Sequence, residues 1–293
     1  MISLLISAYN QDVLALVKNI HQQCLRLGLA FEIVIHENGT DSHLQTQCAQ
    51  ALNGFDNVLY FTQTPYKTRA SSRNGLAQRA KFDLLLFLDG DASVVDSAFI
   101  ERYIAAGNMQ NVVVGGTAYR NEVPSQDYLL RWVYGRKREA IGAELRNQNP
   151  YTSFSSFNFM CPKAIMLKVP FDETIVNYGH EDTMLGKEFQ YHCIPVVHIN
   201  NPCYHDGLDP VSVFLEKSKE AVKTLHQLIL AGRVDEDIKL YKYFAYLKKV
   251  HITGLAALFF KLAAKEMEAH LSGKNPQLWV YDIYRLAYLC SLK

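Results

Sequence analysis

The stretch Phe82-Asp83-Leu84-Leu85-Leu86-Phe87-Leu88-Asp89-Gly90-Asp91 decides the expected fold. Its apolar run, bounded by a glycine turn, is typical of a buried parallel strand. The carboxylates of Asp89 and Asp91 then lie at the carboxyl end of that strand, which is the edge where open α/β sheets bind ligands. Crowded carboxylates need positive charge beside them, and a divalent cation holding a diphosphate is the obvious candidate. A solvated Asp-Gly turn is the alternative.

Strand and helix patterns alternate along the first hundred residues. Strand patterns cover 2–7, 31–36, 57–62 and the run that ends at Asp89, and helical spacing covers 12–27, 43–52 and 71–81. This order predicts an α/β fold with a mostly parallel, Rossmann-like sheet flanked by helices.

The middle of the chain is less regular. We predict strands over 112–115 and 195–199 and one basic-rich helix over 129–145. The segment 150–162 is predicted to be loop and short strand. From Val211 onward the pattern is helical. We therefore place a boundary near Gly207, with an α/β domain at 1–207 and a C-terminal helical extension at 208–293.

Composition narrows the class of protein. Of the 293 residues, 49% are hydrophobic and 20% are charged, which favours a packed core over disorder. The net charge of +1 argues against a nucleic-acid partner bound through bulk charge. The six cysteines are scattered without a Cys-x-x-Cys pair, a pattern that indicates neither a zinc site nor a disulfide framework.

The two ends of the chain bear on its location. The first residues lack a basic leader, so we expect a strand there rather than a signal peptide. The longest later apolar stretch, 252–260, is short of the roughly 20 residues that a membrane span needs. We expect a cytoplasmic protein whose tail helices pack on their own domain. Weak peripheral contact with the inner membrane face through the tail lysines is the alternative.

Four loop motifs follow strand patterns in a characteristic order. With this order and spacing, the residues to about His205 resemble the family 2 glycosyltransferases, which have the GT-A fold. The motifs that carry the resemblance are Ile6-Ser7-Ala8-Tyr9-Asn10 for the first nucleotide-binding loop, Glu37-Asn38-Gly39-Thr40-Asp41 for the Asp-x-Gly-Ser-x-Asp loop, Asp89-Gly90-Asp91 for the Asp-x-Asp motif, and Glu181-Asp182 for the Glu-Asp motif. The second loop departs from the family pattern, because Glu37 stands where the first Asp is usual.

The resemblance implies a nucleotide site in the first two loops. Glu37 would accept a hydrogen bond from the imide N–H of the base, although its side chain is longer than the usual Asp. Tyr9 would stack on the base or border it, between Ala8 and Asn10 of the same loop. Arg73 would add positive charge near the nucleotide, and a surface cation on a helix is the alternative for this residue.

The resemblance also implies a metal site for Mn2+ or Mg2+. Asp91 would bind the cation on the diphosphate, while Asp89, across Gly90, would face the ribose and the metal. His205 would complete the site, since imidazole and carboxylate together suit Mn2+. A structural histidine in a turn is the alternative for His205.

Asp182 is the predicted general base, and Glu181 is predicted to orient the acceptor. A positioned carboxylate contributes roughly 10²–10⁴-fold to the removal of a proton from an attacking hydroxyl. The alternative is that both acids merely favour a helix N-terminus. We therefore predict an inverting transfer from a nucleotide-diphospho sugar, with a UDP-sugar expected, to a glycan or lipid-linked saccharide. A nucleotidyltransferase and a non-catalytic sugar-nucleotide-binding protein are the rival hypotheses.

Overall fold

The computed structural model describes residues 1–62 and 68–292. In chain order the strands are β1 (Ile2–Ala8), β2 (Phe31–Glu37), β3 (Val58–Phe61), β4 (Leu84–Asp89), β5 (Ala92–Val94), β6 (Val112–Val114), β7 (Thr117–Ala118), β8 (Asn158–Pro162), β9 (Val196–His198) and β10 (Cys203–His205). The α-helices are α1 (Leu14–Arg26), α2 (Ser42–Leu52), α3 (Arg69–Arg79), α4 (Phe99–Ala106), α5 (Leu129–Tyr134), α6 (Ala143–Arg146), α7 (Lys163–Lys168), α8 (Glu181–Tyr191), α9 (Val211–Leu230), α10 (Lys239–Lys249), α11 (Thr253–Leu271) and α12 (Leu278–Ser291).

A mostly parallel sheet forms the centre of the fold, as the alternating pattern predicts. Within the described residues its order is β3-β2-β1-β4-β8-β6-β9. The strands β1 to β4 pair in parallel, as do β6 and β9. Strand β8 runs antiparallel to both of its neighbours, β4 and β6. The predicted α/β class is confirmed, and one antiparallel strand interrupts its parallel order.

Strand β4 is apolar because both of its faces are covered. Leu86 and Leu88 belong to the core on one side of the sheet, while Leu85 and Phe87 belong to the core on the other side. The ring of Phe87 stacks on Phe159 of β8, with centroids 4.7 Å apart. Burial of each such side chain stabilises the fold by about 1.5–3 kcal/mol.

A second, three-stranded sheet lies at the polar end of β4, in the order β5-β10-β7. Strand β5 pairs antiparallel with β10, so that Ala92 lies opposite His205. This pairing brings His205 next to the residues that follow β4, although more than a hundred positions of sequence separate them.

The prediction of one helix over 129–145 is wrong. Helix α5 ends at Tyr134, a π-helical turn covers Gly135–Glu139, and the short helix α6 follows. The buried Arg146 gives a physical reason for the break. Its guanidinium donates to the carbonyl oxygens of Ile141, Gly115 and Ile199, so the chain must turn inward before α6.

The described chain forms two compact units. The first contains Met1–Tyr119, Glu139–Thr174 and Glu181–Gly207, and the second contains Arg120–Arg138, Ile175–His180 and Leu208–Lys293. The helix-rich second unit therefore also includes two segments from the middle of the chain. The division into domains 1–207 and 208–293 stays a prediction.

The second unit has its own apolar core. Its buried members are Leu130, Val211, Phe214, Leu215, Met267, Leu271, Val280, Tyr281 and Tyr284. The hydroxyl groups of Tyr281 and Ser218 lie 2.8 Å apart and share a hydrogen bond. Within the described part of the chain, none of the helices has both the length and the apolar character that a membrane crossing requires.

Two loops at the carboxyl ends of β1 and β2 are joined by the carboxylate of Glu37. Its Oε1 accepts from the backbone N–H of Asn10 at 2.8 Å and of Gly39 at 2.6 Å. Its Oε2 accepts from the N–H of Gln11 at 3.4 Å. Glu37 is 1% exposed, and these charge-assisted bonds satisfy its buried oxygens.

Asn10 joins the same two loops from the other side. Its Oδ1 accepts from the N–H groups of Thr40 at 2.8 Å and of Asp41 at 2.9 Å. Its φ of 53° lies in the left-handed region, which Asn tolerates better than most residues. The two side chains thus hold the β1 and β2 loops in one relative position.

We predict that Gly39→Ala destabilises the protein through this contact. The new Cβ would press on the side-chain oxygen of Asn10 and lie 2.5 Å from its backbone nitrogen, which cannot move without breaking the bond to Glu37. The expected cost is about 1–3 kcal/mol, which lowers Tm by roughly 2–4 °C per kcal/mol in a chain of this size.

Gly54→Ala is the matched control, because no atom lies within 4 Å of its new Cβ. Melting curves followed by circular dichroism should show a lower Tm for Gly39→Ala and no loss for Gly54→Ala. Equal melting temperatures for the two variants would show that the loop contact is not tight.

Candidate active site

A buried ion pair lies at the carboxyl end of β4. Arg73 of α3 is 3% exposed, and its Nη2 donates to Asp89 Oδ1 at 2.6 Å. Its guanidinium also lies over the ring of Phe171. Burial raises the pKa of Asp89, and the positive charge of Arg73 opposes that rise. Arg73 is therefore a buried partner of the carboxylate pair, and the alternative of a surface cation is wrong.

The glycine between the two acids allows β4 to end against β1. Gly90 N donates to the carbonyl oxygen of Ser7 at 2.9 Å. A Cβ at this position would lie 2.6 Å from the Cβ of Ala8. Only a residue without a side chain permits this approach, so the β1 loop and the acidic turn lie side by side.

Asp91 and His205 approach each other through the small sheet. Their Oδ2 and Nε2 atoms are 3.7 Å apart, and both side chains are largely buried. Gly207 leaves room for the carboxylate, since a Cβ there would lie 2.7 Å from the Cβ of Asp91. The structure therefore brings together the two residues that the sequence suggested as metal ligands.

Two aromatic rings stack on the imidazole of His205. The ring of Phe157 lies at a centroid distance of 5.2 Å and that of Tyr119 at 5.7 Å, with interplanar angles of 18° and 12°. The Tyr119 hydroxyl donates to Glu139. Stacking on its faces restricts the rotation of the imidazole and leaves its nitrogen atoms at the edge.

The donor set fits a cation that is coordinated partly by the protein and partly by a substrate. Among residues 1–62 and 68–292, no group of three His, Cys, Asp or Glu side chains is placed to hold a metal ion by itself. Mg2+ is often bound through one or two carboxylates together with substrate phosphates, and an imidazole and a carboxylate suit Mn2+. Asp91 and His205 are such a partial set.

Glu181 and Asp182 form the first turn of α8. The preceding His180 has a φ of 70°, in the left-handed region. Asp182 Oδ2 accepts from the backbone N–H of Ser156 at 3.1 Å. Glu181 Oε1 lies 3.7 Å from Nη1 of Arg69. The acids do occupy a helix N-terminus, where negative charge is favoured, but each also has a specific partner elsewhere in the fold.

One carboxylate oxygen of each of these two acids has no hydrogen-bond partner in the described part of the chain. Asp182 Oδ1 and Glu181 Oε2 are buried, and neither has a hydrogen-bond partner among the residues that the structure describes. Buried polar atoms in folded proteins nearly always have a partner. Two such atoms on adjacent carboxylates therefore indicate a place where a polar ligand binds.

Arg73 lies within electrostatic range of all three acids, Asp89, Asp182 and Glu181. Burial and the adjacent Asp182 raise the pKa of Glu181, while Arg69 and Arg73 oppose the rise. The acids at the end of β4 and those at the start of α8 thus surround one cation. The structure unites two motifs that are about ninety residues apart in the sequence.

The first two loops contribute residues of very different exposure. The ring of Tyr9 is exposed, with 61% of its surface accessible, whereas Ala8 is buried against Gly90. Glu37 is buried and holds the loops together. Its described hydrogen bonds go to backbone N–H groups of the two loops. A contact between Glu37 and a base stays a prediction.

The sequence did not place Arg69, Ser156, Tyr119 or Phe157 beside the acids or His205, although the aromatic stretch 153–159 was a candidate wall for the acceptor. Arg69 could have been found, because it precedes Arg73 by four residues and so lies on the same face of a helix. Ser156, Tyr119 and Phe157 reach the site through contacts with residues 26 to 86 positions away, and a local sequence pattern does not predict such contacts.

A sequence-family model described as Glycosyl transferase family 2 matches residues 3–173. No curated protein matches the chain significantly. The matched region contains the loops at 8–10, 37–41 and 89–91, and it covers more than half of the chain.

Several solved structures share the fold at low sequence identity. The mannosyltransferase PcManGT from Pyrobaculum calidifontis, in complex with GDP-Man and Mn2+, is 13% identical with a TM-score of 0.62, over 98% of this chain and 85% of that chain. Glucosyl-3-phosphoglycerate synthase from Mycobacterium tuberculosis, with Mn2+, UDP and glucosyl-3-phosphoglycerate, is 13% identical with a TM-score of 0.51, over 80% and 81%. Residues 1–349 of S. aureus TarS are 13% identical with a TM-score of 0.51, over 97% and 89%.

At these identities the structural likeness concerns the fold, while the family match extends over most of the first unit. Both agree with the resemblance that the loop motifs indicate. The chain belongs to glycosyl transferase family 2, and it is a glycosyltransferase with the GT-A fold.

Proposed function

We propose that this enzyme transfers a sugar, with inversion, from a nucleoside-diphosphate sugar to a hydroxyl group of a glycan or a lipid-linked saccharide. A uridine nucleotide is the expected donor. The observation that carries the proposal is the position of Arg73, which is ion-paired with Asp89 and within electrostatic range of Glu181 and Asp182. One buried cation thereby links the acids expected to hold the donor with those expected to hold the acceptor.

The donor is proposed to bind over the carboxyl ends of β1, β2 and β4. The exposed ring of Tyr9 offers an apolar face for a base, and Asn10 and Glu37 hold its loop against the β2 loop. Structures of similar fold support a nucleotide as ligand, since one contains GDP-Man and another contains UDP. Ligand binding at this edge is general for open α/β sheets.

Asp91 and His205 are the residues proposed to hold Mn2+ or Mg2+, with the diphosphate oxygens supplying further ligands. The structures of similar fold that contain Mn2+ or Mg2+ support this assignment. A bound cation would supply positive charge for the leaving diphosphate. Asp89, held by Arg73, is proposed to face the ribose and the metal.

Asp182 is the proposed general base. The N–H of Ser156 holds its Oδ2, and its buried Oδ1 remains available to accept the proton of an acceptor hydroxyl. Glu181 is proposed to position the acceptor. Its Oε1 lies near Arg69, and its buried Oε2 has no hydrogen-bond partner among the described residues. A base acting on the acceptor itself fits one direct displacement at the anomeric carbon, and one displacement inverts the configuration.

The first test concerns the metal and the donor. A panel of nucleotide sugars, each with and without Mn2+, should contain one that raises Tm only when Mn2+ is present. At a hundredfold excess over its Kd, a ligand stabilises the folded state by about 2.7 kcal/mol. Asp91→Asn should abolish the Mn2+-dependent shift and leave the Tm of the free protein nearly unchanged.

Asp56→Asn serves as the control, because this carboxylate lies exposed in the turn before β3. It should retain the full shift. A normal Mn2+-dependent shift in Asp91→Asn would contradict the metal assignment.

The second test concerns the base. Asp182→Asn keeps the shape of the side chain and removes its basicity, so kcat should fall by roughly 10²–10⁴-fold while donor binding is retained. Glu188→Gln, on the exposed part of the same helix, should have normal kcat. Initial rates and donor affinity should be measured for both. Near-normal turnover of Asp182→Asn would rule out this residue as the base.

The third test concerns stereochemistry. If transfer is a single displacement, the anomeric configuration of the product is opposite to that of the donor. The proton coupling constant at the anomeric carbon of the fresh product gives the configuration directly. A retained configuration would require a second displacement and would overturn the proposed role of Asp182.

A further inference from the structure

An apolar stripe lies on the outer face of helix α11 in the second unit. Leu255, Leu258, Phe259 and Leu262 are all exposed, and their spacing of three and four residues places them on one side of the helix. A different side of α11 packs into the core of the unit, through Phe260, Ala263, Ala264, Met267 and Leu271. The helix is therefore apolar on two sides, and one of them faces outward.

The same region concentrates positive charge. Between residues 238 and 265 the chain has six lysines and neither Asp nor Glu, whereas Asp235, Glu236 and Asp237 precede this segment and Glu266 and Glu268 follow it. All six lysines are exposed, and they are Lys239, Lys242, Lys248, Lys249, Lys261 and Lys265. Lys261 and Lys265 lie on α11 beside the apolar stripe.

Helix α10 adds aromatic side chains to this region. Tyr243 and Tyr246 are exposed, while Leu240, Phe244 and Leu247 are half-buried. None of its residues is fully buried. The exposed side chains of α10 and α11 thus include leucines, a phenylalanine, tyrosines and lysines, and we refer to this set below as the basic apolar surface.

We propose that the basic apolar surface docks on an anionic lipid bilayer. Charge complementarity selects this partner, since lysines near a bilayer are attracted to anionic headgroups and their long stems allow the neighbouring apolar side chains to enter the interface. Amphipathic helices with a basic polar face bind membranes in this way, parallel to the surface. Tyrosines are favoured at the headgroup level.

The proposal does not depend on which acceptor the enzyme uses. It concerns α10 and α11, which contain none of the residues assigned above to donor, metal or acceptor. The exposure of Leu255, Phe259 and Leu262 favours the alternative of peripheral membrane contact, and the expectation that the tail helices pack on their own domain stays a prediction.

The test is co-sedimentation of the full-length protein with vesicles of phosphatidylcholine, alone or mixed with phosphatidylglycerol. We expect at least about tenfold stronger partition to the anionic vesicles, and weaker partition at high salt, because salt screens surface charge. Partition should be measured for the unaltered protein and for variants whose circular dichroism melts are normal.

Leu262→Glu tests the apolar stripe, and Leu230→Glu at the end of α9 is its matched control, because both leucines are 71% exposed. The double variant Lys248→Glu/Lys249→Glu tests the charge without touching any apolar side chain, and Lys223→Glu on α9 is its control. We expect the two surface variants to lose about tenfold or more in partition to anionic vesicles and the two controls to keep it.

Four results would overturn the proposal. The first is no partition to anionic vesicles, and the second is equal partition to neutral and anionic vesicles. The third is dimerisation of this chain through the surface. Light scattering would then show a dimer that Leu262→Glu converts to a monomer, while the partition of that variant to anionic vesicles stays unchanged. Loss of partition in a control variant to the same extent as in Leu262→Glu would also exclude a specific surface.

Discussion

The ion pair between Arg73 and Asp89 is the constraint on which the rest of the site depends. A guanidinium cannot lose its proton, so a buried one needs negative charge around it. Arg73 meets that need with Asp89 directly, and with Glu181 and Asp182 at longer range. The pair joins α3 to the end of β4, and the same cation attracts the first turn of α8. Loss of the Asp89 carboxylate would remove the one direct ion-pair partner described for this buried charge, at a cost of about 3–5 kcal/mol.

Close backbone approach is the second constraint, and glycine provides it at each loop. Gly39 lies against Asn10, Gly90 lies against Ala8, and Gly207 lies against Asp91. At each of these positions a side chain would separate two segments that must touch. Gly90 and Gly207 therefore help to place the acids, because Asp89 can follow the β1 loop closely, and Asp91 can lie beside residue 207, only where no side chain intervenes.

The two units have different physical characters. The first buries apolar side chains on both faces of a sheet and places its acids at one edge. The second buries one side of its helices and leaves the basic apolar surface outside. The net charge of +1 conceals this contrast, since six lysines and no Asp or Glu fall between residues 238 and 265. Composition alone would therefore miss both the acidic site and the basic surface.

The sequence by itself determined the features that depend on neighbours along the chain. Apolar runs predicted β1, β2 and β4, and helical spacing predicted α1 to α3. The motif Asp89-Gly90-Asp91 located the sheet edge, and together with the loops at 6–10, 37–41 and 181–182 it indicated the family. Each of these depends on local periodicity, which records which face of an element is buried.

The tertiary structure alone decided the features that depend on partners far away in the sequence. Strand β8 runs antiparallel between β4 and β6, and its apolar side chains are buried beside β4. The helix predicted over 129–145 breaks because Arg146 must reach distant carbonyl groups. Tyr119 and Phe157 meet His205 by packing, and α11 has an outward apolar stripe that periodicity could not distinguish from its buried side. Periodicity specifies that a face is apolar, and only the folded chain specifies what covers it.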